Sequence, residues 1–441
     1  MKKIIVILIS LLLLCGCSGL SGVIYDSDAE NLSIKEEDKD ASYSNTTNLV
    51  AVDNNDIYIT EEGTYTLTGT LDNTSVIVNV DENEEVQLVL DNVTINSNDF
   101  AAIYVVEADK VTITLAEGSV NTLSDGTSYT QIDSNSVDAV IFSKADLVIN
   151  GSGTLNINAN YKHGIVSKDD LIITGGTYNI TSVAQGICGK DCLKISDGTF
   201  NITCGTDGLK SNNDEDADRG YIYIESGNFT INAQDDGILG VSKVVIDGGT
   251  FNITAHEGIE GTYIVINGGD ITINATDDGI NAAQKVSTYT PTFEMNGGNL
   301  TINMGQGDTD AIDSNGYIYI NGGTINITAQ FAFDYDKEAK FNGGTIIVNG
   351  EEISEITNQF GNMGGFGGQG AFNPNGSDPN SNWPMPDGSS GASQSDGSNM
   401  PSMPNGQDFD PSQFDGSNRP EKPSGSNGFP SGKGQFNSQN S

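Results

Sequence analysis

Through the middle of the chain, apolar residues fall on every second position in short runs. Val244-Val245-Ile246 and Ile264-Val265-Ile266 are two such runs. In Thr250-Phe251-Asn252-Ile253-Thr254, Phe251 and Ile253 fall on one side and Thr250, Asn252 and Thr254 on the other. A period of two means a strand with one buried and one solvated face. A Gly-Gly or Ser-Gly pair separates successive runs, as corners of unusual φ/ψ require. No stretch of the body carries helical spacing of 3.6, which argues against a helix-containing leucine-rich repeat.

The runs repeat. Gly-Thr-aromatic-Asn-Ile recurs at Gly176, Gly198 and Gly249, with related copies at Gly153, Gly227, Gly269, Gly298, Gly323 and Gly344. Successive spacings are 23, 22, 29, 22, 20, 29, 25 and 21 residues. A period of twenty-odd residues predicts a solenoid, here an all-β coil of two or three strands per turn, with rungs about 4.8 Å apart burying a column of Ile, Val, Leu and Phe. Earlier runs such as Ile57–Thr60, Val86–Leu90 and Val111–Leu115 follow the same grammar and predict N-terminal coils and a cap. The outward Thr and Asn form ladders suited to hydrogen bonding between rungs.

The organisation along the chain follows from changes in pattern. Lys2 and Lys3 precede an apolar run, Ile4 to Leu14, too short to span a bilayer comfortably and placed as a signal peptide's core is placed. It ends in Cys15-Gly16-Cys17, which resembles the lipobox of bacterial lipoproteins. This predicts residues 1–17 as a lipoprotein signal ending at a lipidated Cys17, and a location at the outer face of the cell membrane. Residues 18–48 are polar, acidic and aperiodic and predict a flexible linker. Residues 49–350 carry the repeat. Residues 351–441 are rich in Gly, Ser, Asn and Pro and predict a disordered tail.

Charge narrows the choice of partner. Sixty acidic residues stand against 19 basic ones, a net charge of -41, and Arg219 and Arg419 are the only arginines. Such a surface repels nucleic acid and anionic lipid, so contact with a membrane is expected only through the N-terminal lipid. It suits divalent cations. Cys188, Cys192 and Cys204 are odd in number and so no disulfide framework; Cys188 and Cys192 could pair, and Cys204, aligned with Ala255 and Ala275, reads as a small buried residue.

One corner of each repeat carries candidate chemistry. Asp207-Gly208-Leu209, Asp236-Gly237-Ile238, Glu257-Gly258-Ile259, Asp278-Gly279-Ile280 and Asp310-Ala311-Ile312 place a carboxylate at the same point of five consecutive coils, with Asp235, Asp277, Asp308 and Asp313 beside them. At about 5 Å and an effective dielectric of 20, two such charges repel by about 3 kcal/mol. A partly buried ladder therefore calls for cations or backbone amides to neutralise it. Oxygen-only ligands select a hard ion, Ca²⁺ in an extracellular setting. A single Asp-Gly corner can instead cap its own turn. The 29-residue repeats add residues just after this corner, at Asn212–Arg219 and Val286–Pro291, and these could wall a groove over the ladder. Asp214 and Asp216 join the metal candidates, although the run is no EF-hand: glycine falls at the seventh place and no helices flank it. Beside the insertions, Tyr221, Tyr223, Tyr263, Tyr317 and Tyr319 are expected to point outward, as flat platforms for sugar rings. No nucleophilic triad, phosphate loop or dinucleotide fingerprint is present.

Gly63-Thr64-Tyr65-Thr66-Leu67-Thr68-Gly69-Thr70-Leu71, Leu88-Val89-Leu90-Asp91-Asn92-Val93, Asp207-Gly208-Leu209-Lys210-Ser211 and Asp310–Gly316 together resemble bacterial cell-surface carbohydrate-binding domain proteins. The resemblance covers about residues 50 to 350. It implies a right-handed parallel β-helix similar to calcium-dependent pectate lyases. It also implies Ca²⁺-assisted binding of acidic pectin-like or cellulosic polysaccharide by a monomer. A calcium-dependent polysaccharide lyase is the second reading, with Lys210, or after it Arg219, as the base that takes the proton α to a uronate carboxylate. A structural surface or matrix protein without sugar specificity is the third.

Overall fold

The structure is a computed structural model that describes residues 32–50, 55–305 and 309–358. Alternating runs become parallel strands because only stacking on an identical neighbour buries their apolar side. Each turn of the coil uses three strands, so three parallel sheets run the length of the solenoid. The first sheet holds short strands such as Leu209–Ser211, Ile280–Ala282 and Asp310–Ser314. The second holds Tyr221–Ile224, Thr292–Met295 and Tyr317–Ile320. The third holds Thr199–Cys204, Thr250–Ala255 and Asn299–Met304. Two strands, Asp236–Ile246 and Glu257–Ile266, run through the first and second sheets with a bend after Gly240.

Inside the coil, like residues stack on like. Leu209, Ile238, Ile259, Ile280 and Ile312 lie in register from rung to rung. Tyr178, Phe200, Phe229 and Phe251 form a stacked aromatic column with centroids 4.8, 4.7 and 4.5 Å apart. All of these side chains are buried, each worth about 2 kcal/mol of transfer free energy. Cys204 lies in this interior in register with Ala233, as its small size suggests. The three described cysteines are free and buried, so Cys188 and Cys192 do not pair.

The corners are set by glycine. Gly249 has φ of +108°, and a Cβ there would meet the Gly227 carbonyl at 2.9 Å. At the acidic corner, Gly208 donates its N–H to the Asp236 carbonyl at 2.9 Å, and Gly258 to that of Asp278 at 2.9 Å. A Cβ on Gly208 would stand 2.6 Å from the Gly237 oxygen. Close backbone approach thus explains the glycine after Asp207, Asp236, Glu257 and Asp278, and it holds the carboxylate-bearing residues in register.

Both ends of the coil extend beyond the predicted limits. Residues 33–42, expected to be linker, cross the outer face of the second sheet. Ile34 and Asp38 are buried, Asn150 donates to the Asp38 and Asp40 carbonyls, and Lys110 lies 3.5 Å from the Asp38 carboxylate. Thr47–Val50 then pairs with Tyr65–Thr68. At the other end, Glu351–Ile353 folds back antiparallel on Thr345–Val348, and Asn358 donates to the Tyr335 carbonyl, so the first residues assigned to the tail close the coil. The predicted lipidation site Cys17, the rest of the tail and Asp308 lie outside the described residues.

Candidate functional site

The acidic corner leads into the first sheet, where stacking gathers the carboxylates into a stripe. Asp207, Asp235 and Asp236 each offer an oxygen within 4.8 Å of the others, and so do Asp236, Glu257 and Glu260, the two groups sharing Asp236. Asp207, Asp236 and Glu260 are 1%, 4% and 4% exposed. Further along, the Asp310 N–H donates to Asp278 at 3.3 Å. Glu257 and Asp277 form a third group with His256, more exposed than the other two.

Burial and crowding make this charge costly. Asp236 is pushed far above the usual carboxylate range by burial, then by Glu260, Asp207, Glu257 and Asp235. Glu257 is raised to about 7 by burial and Glu260. Asp278 reaches about 7 through burial and Asp277, and Asp313 about 7 through burial, Asp278 and Asp334. Two lysines reach into the stripe. Lys210 donates to Asp207 Oδ2 at 2.8 Å, an oxygen that also accepts from Gln185, and Lys285 lies 2.5 Å from Glu260 Oε1. The other Asp207 oxygen is buried and accepts no hydrogen bond. These are hard oxygen donors, several of them enclosed, around a charge that the side chains only partly balance. That donor set fits Ca²⁺.

Other expected members lie elsewhere. The first insertion folds away from the stripe. Asn213 donates to Asp191 at 2.7 Å and to Asp216 at 3.1 Å, and Asp214 is exposed. Arg219 pairs with Asp170 at 2.8 Å and Asp191 at 3.7 Å, at the corner that opens the second sheet. Lys210 and Arg219 therefore share no partner. Sequence reasoning missed that second corner, where Asp146, Asp169 and Asp170 also converge. It missed Glu260 as well, although Glu260 occupies the outward position of Ile259-Glu260-Gly261 in register with Leu239 and Asn281. Lys285 gave no local signal beyond a lone cation beside an insertion.

The tyrosines divide into two groups. Tyr221 does not stand out from the coil as expected. It is 8% exposed, hydrogen-bonded with Cys192, and has Lys194 5.7 Å from its ring centre. In the neighbouring rung it stands beside Cys192, where Tyr317, at the same place in its own strand, has Thr292 and Glu338. Tyr223 donates to Asp247 at 2.8 Å. Tyr263, Tyr317 and Tyr319 line a cleft of about 420 Å³ together with Thr288, Tyr289 and Glu338. Tyr317 and Tyr319 stack at 5.7 Å and 12°; Tyr289, carried by the second insertion, meets Tyr263 edge-on at 6.1 Å. Tyr263 donates to Glu294 at 2.8 Å, which holds its ring at the cleft. Aromatic surface with a few polar groups in a cleft of this size suits one or two sugar rings.

A family model described as "Carbohydrate-binding domain-containing protein" matches residues 53–311. A protein of the same description from Acetivibrio thermocellus is 34% identical over 187 residues, 41% of this chain and 64% of the relative, so the match spans less than two thirds of that relative's length. A solved structure described as a polysaccharide lyase-like protein from C. thermocellum, as a gadolinium derivative, is 33% identical. It covers 51% of this chain and 92% of its own, with a TM-score of 0.45.

Proposed function

Starting from the fact that the chain belongs to the family of carbohydrate-binding domain-containing proteins, we propose that its β-helix binds an acidic polysaccharide with the help of Ca²⁺ held along the acidic stripe. The observation that carries this reading is the enclosed set of carboxylates Asp207, Asp235, Asp236, Glu257 and Glu260, whose mutual repulsion a divalent ion would relieve. Asp278, Asp310 and Asp313 continue the stripe and could hold a second ion. In this reading the protein supplies most of the ligands, and the sugar's own carboxylates complete the coordination of the ion. Tyr263, Tyr317 and Tyr319 offer ring faces to the apolar side of the sugar.

Binding without turnover agrees with the cations available. Lys210 is engaged by Asp207, and Arg219 by Asp170 and Asp191, away from the stripe. The reading also includes a surface location through a lipid on Cys17, consistent with the Lys2–Cys17 signal pattern. Retention of the full chain on immobilised polygalacturonate, in Ca²⁺ and in EDTA, tests the proposal. Strong retention with Ca²⁺ and loss in EDTA is expected. Equal retention in both defeats the calcium role, and negligible retention in both defeats acidic sugar as the ligand. Labelling with radioactive palmitate, lost in Cys17→Ala, tests the anchor.

A further inference from the structure

Lys285 is the third residue after the strand Ile280–Ala282 and stands just before the insertion Val286–Pro291, between the first and second sheets. Its ammonium lies 2.5 Å from Glu260 Oε1. Asn281 donates to Glu257 at 2.9 Å and to the same Glu260 oxygen at 3.4 Å, so amide and ammonium converge on one carboxylate pair. Glu257 and Glu260 form a group with Asp236, which also belongs to the group containing Asp207. Two buried oxygens here accept no hydrogen bond: Asn281 Oδ1, whose amide nitrogen serves Glu257 and Glu260, and, in the adjoining group that shares Asp236, Asp207 Oδ1, while Lys210 and Gln185 bind the other Asp207 oxygen.

The insertion does not depend on the Lys285 side chain to stay in place. The buried Thr262 hydroxyl donates to the Val241 carbonyl and accepts the N–H groups of Lys285 and Val286 at 3.0 and 3.2 Å. Val286 is buried as well, and Gln284 donates to the Tyr289 carbonyl at 2.9 Å. With the backbone anchored in this way, the placement of the ammonium is an electrostatic choice.

We infer that Lys285 is a tethered counter-ion of the Asp236–Glu257–Glu260 group, and that a divalent cation binds there by displacing its ammonium. The inference rests on the calcium reading of the stripe and adds how that site is regulated. Without metal, one positive charge on a side chain stabilises three crowded carboxylates, and the coil stays folded. With metal, the ion's two charges replace the ammonium, which swings to solvent. The lysine therefore weakens the metal affinity of the site, so that it fills only where the ion is abundant.

Calcium titration calorimetry on the full chain, its Lys285→Met variant and its Lys285→Arg variant tests this. Lys285→Met is expected to bind Ca²⁺ about tenfold more tightly, and to melt at a lower temperature than wild type in EDTA. Lys285→Arg, which keeps the charge, is expected to stay close to wild type. Equal affinities for wild type and Lys285→Met, or weaker binding by the variant, overturn the inference and leave the calcium reading standing. If none of the three proteins binds Ca²⁺, the calcium reading falls and takes the inference with it. A second measurement needs no variant. Acylation footprinting of wild type should show Lys285 more reactive with Ca²⁺ than with EDTA, and unchanged reactivity overturns the displacement.

Discussion

Two corners of the same coil carry aspartates, and they are balanced in different ways. At the corner that opens the second sheet, where Asp146, Asp169 and Asp170 converge, Asp170 and Asp191 meet a protein cation. Arg219 reaches Asp170 and Asp191, Asn213 donates to Asp191, and residues 33–42 cross the same face with Asp38 against Lys110. Asp146 is still raised to about 6 by burial and Asp170. At the corner that opens the first sheet, Lys210 and Lys285 stand at separate points of the stripe, and the carboxylates between them keep their repulsion. Equal acidity therefore serves two ends. One corner is an internal ion-pair network that holds an insertion down; the other is suited to an ion from outside.

The largest expected effect separating the corners is the pH dependence of stability without metal. Glu257, Asp278 and Asp313 have folded values near 7, above the ordinary values of 4.5 and 3.8. Groups raised in this way contribute stability that is fully present below the unfolded pKa and is lost as pH rises through about 7. Discounted for partial exposure, urea unfolding in EDTA should show a loss on the order of 3 kcal/mol between about pH 5 and pH 8. Ca²⁺ should flatten that slope, and a slope unaffected by Ca²⁺ would place the ion elsewhere.

Next in size is Asp236→Asn, which removes the most strongly crowded charge. In EDTA at pH 8 it should stabilise the fold by about 1–2 kcal/mol, and it should abolish the rise in melting temperature expected of wild type in Ca²⁺. Destabilisation of the chelated protein would mean that the carboxylate is structural. Arg219→Ala sharpens the contrast. It should cost about 1 kcal/mol in the same unfolding assay and leave Ca²⁺ affinity unchanged, since its partners belong to the other corner. A fall in Ca²⁺ affinity would show the two corners to be coupled. The smallest effect concerns the cleft. Tyr317→Ala should weaken binding of an acidic oligosaccharide about fivefold without altering Ca²⁺ binding, and an unchanged sugar affinity would remove the cleft from the site.

Much of this architecture could be read from the chain. The spacing of Gly176, Gly198, Gly227 and Gly249, with Ile and Phe at fixed offsets, requires a stacked β-coil because no single rung can bury its own apolar side. The same repeat put Asp207, Asp236, Glu257 and Asp278 on one line, since residues at equal places in successive coils become neighbours. What could not be read was whatever depends on segments outside the repeat. Residues 33–42 have no period, so nothing in them marked the face they cover. The first insertion has a calcium-like run of aspartates, yet Asn213 and Arg219 fold it onto Asp170 and Asp191. Tyr221 and Tyr317 share the sequence Tyr-Ile-Tyr-Ile, but Tyr221 is covered by its neighbours while Tyr317 lines a cleft.

By itself, then, the sequence determined the all-β solenoid, its interior columns and the alignment of its acidic corners, because translation along a periodic stack is a local rule repeated. Only the tertiary structure decided which carboxylates are buried, which of them meet Arg219, Lys210 or Lys285, and which tyrosines remain open to a ligand. Burial and charge pairing are set by the aperiodic segments that fold over the stack, and their landing points are settled by contacts between residues far apart in the chain.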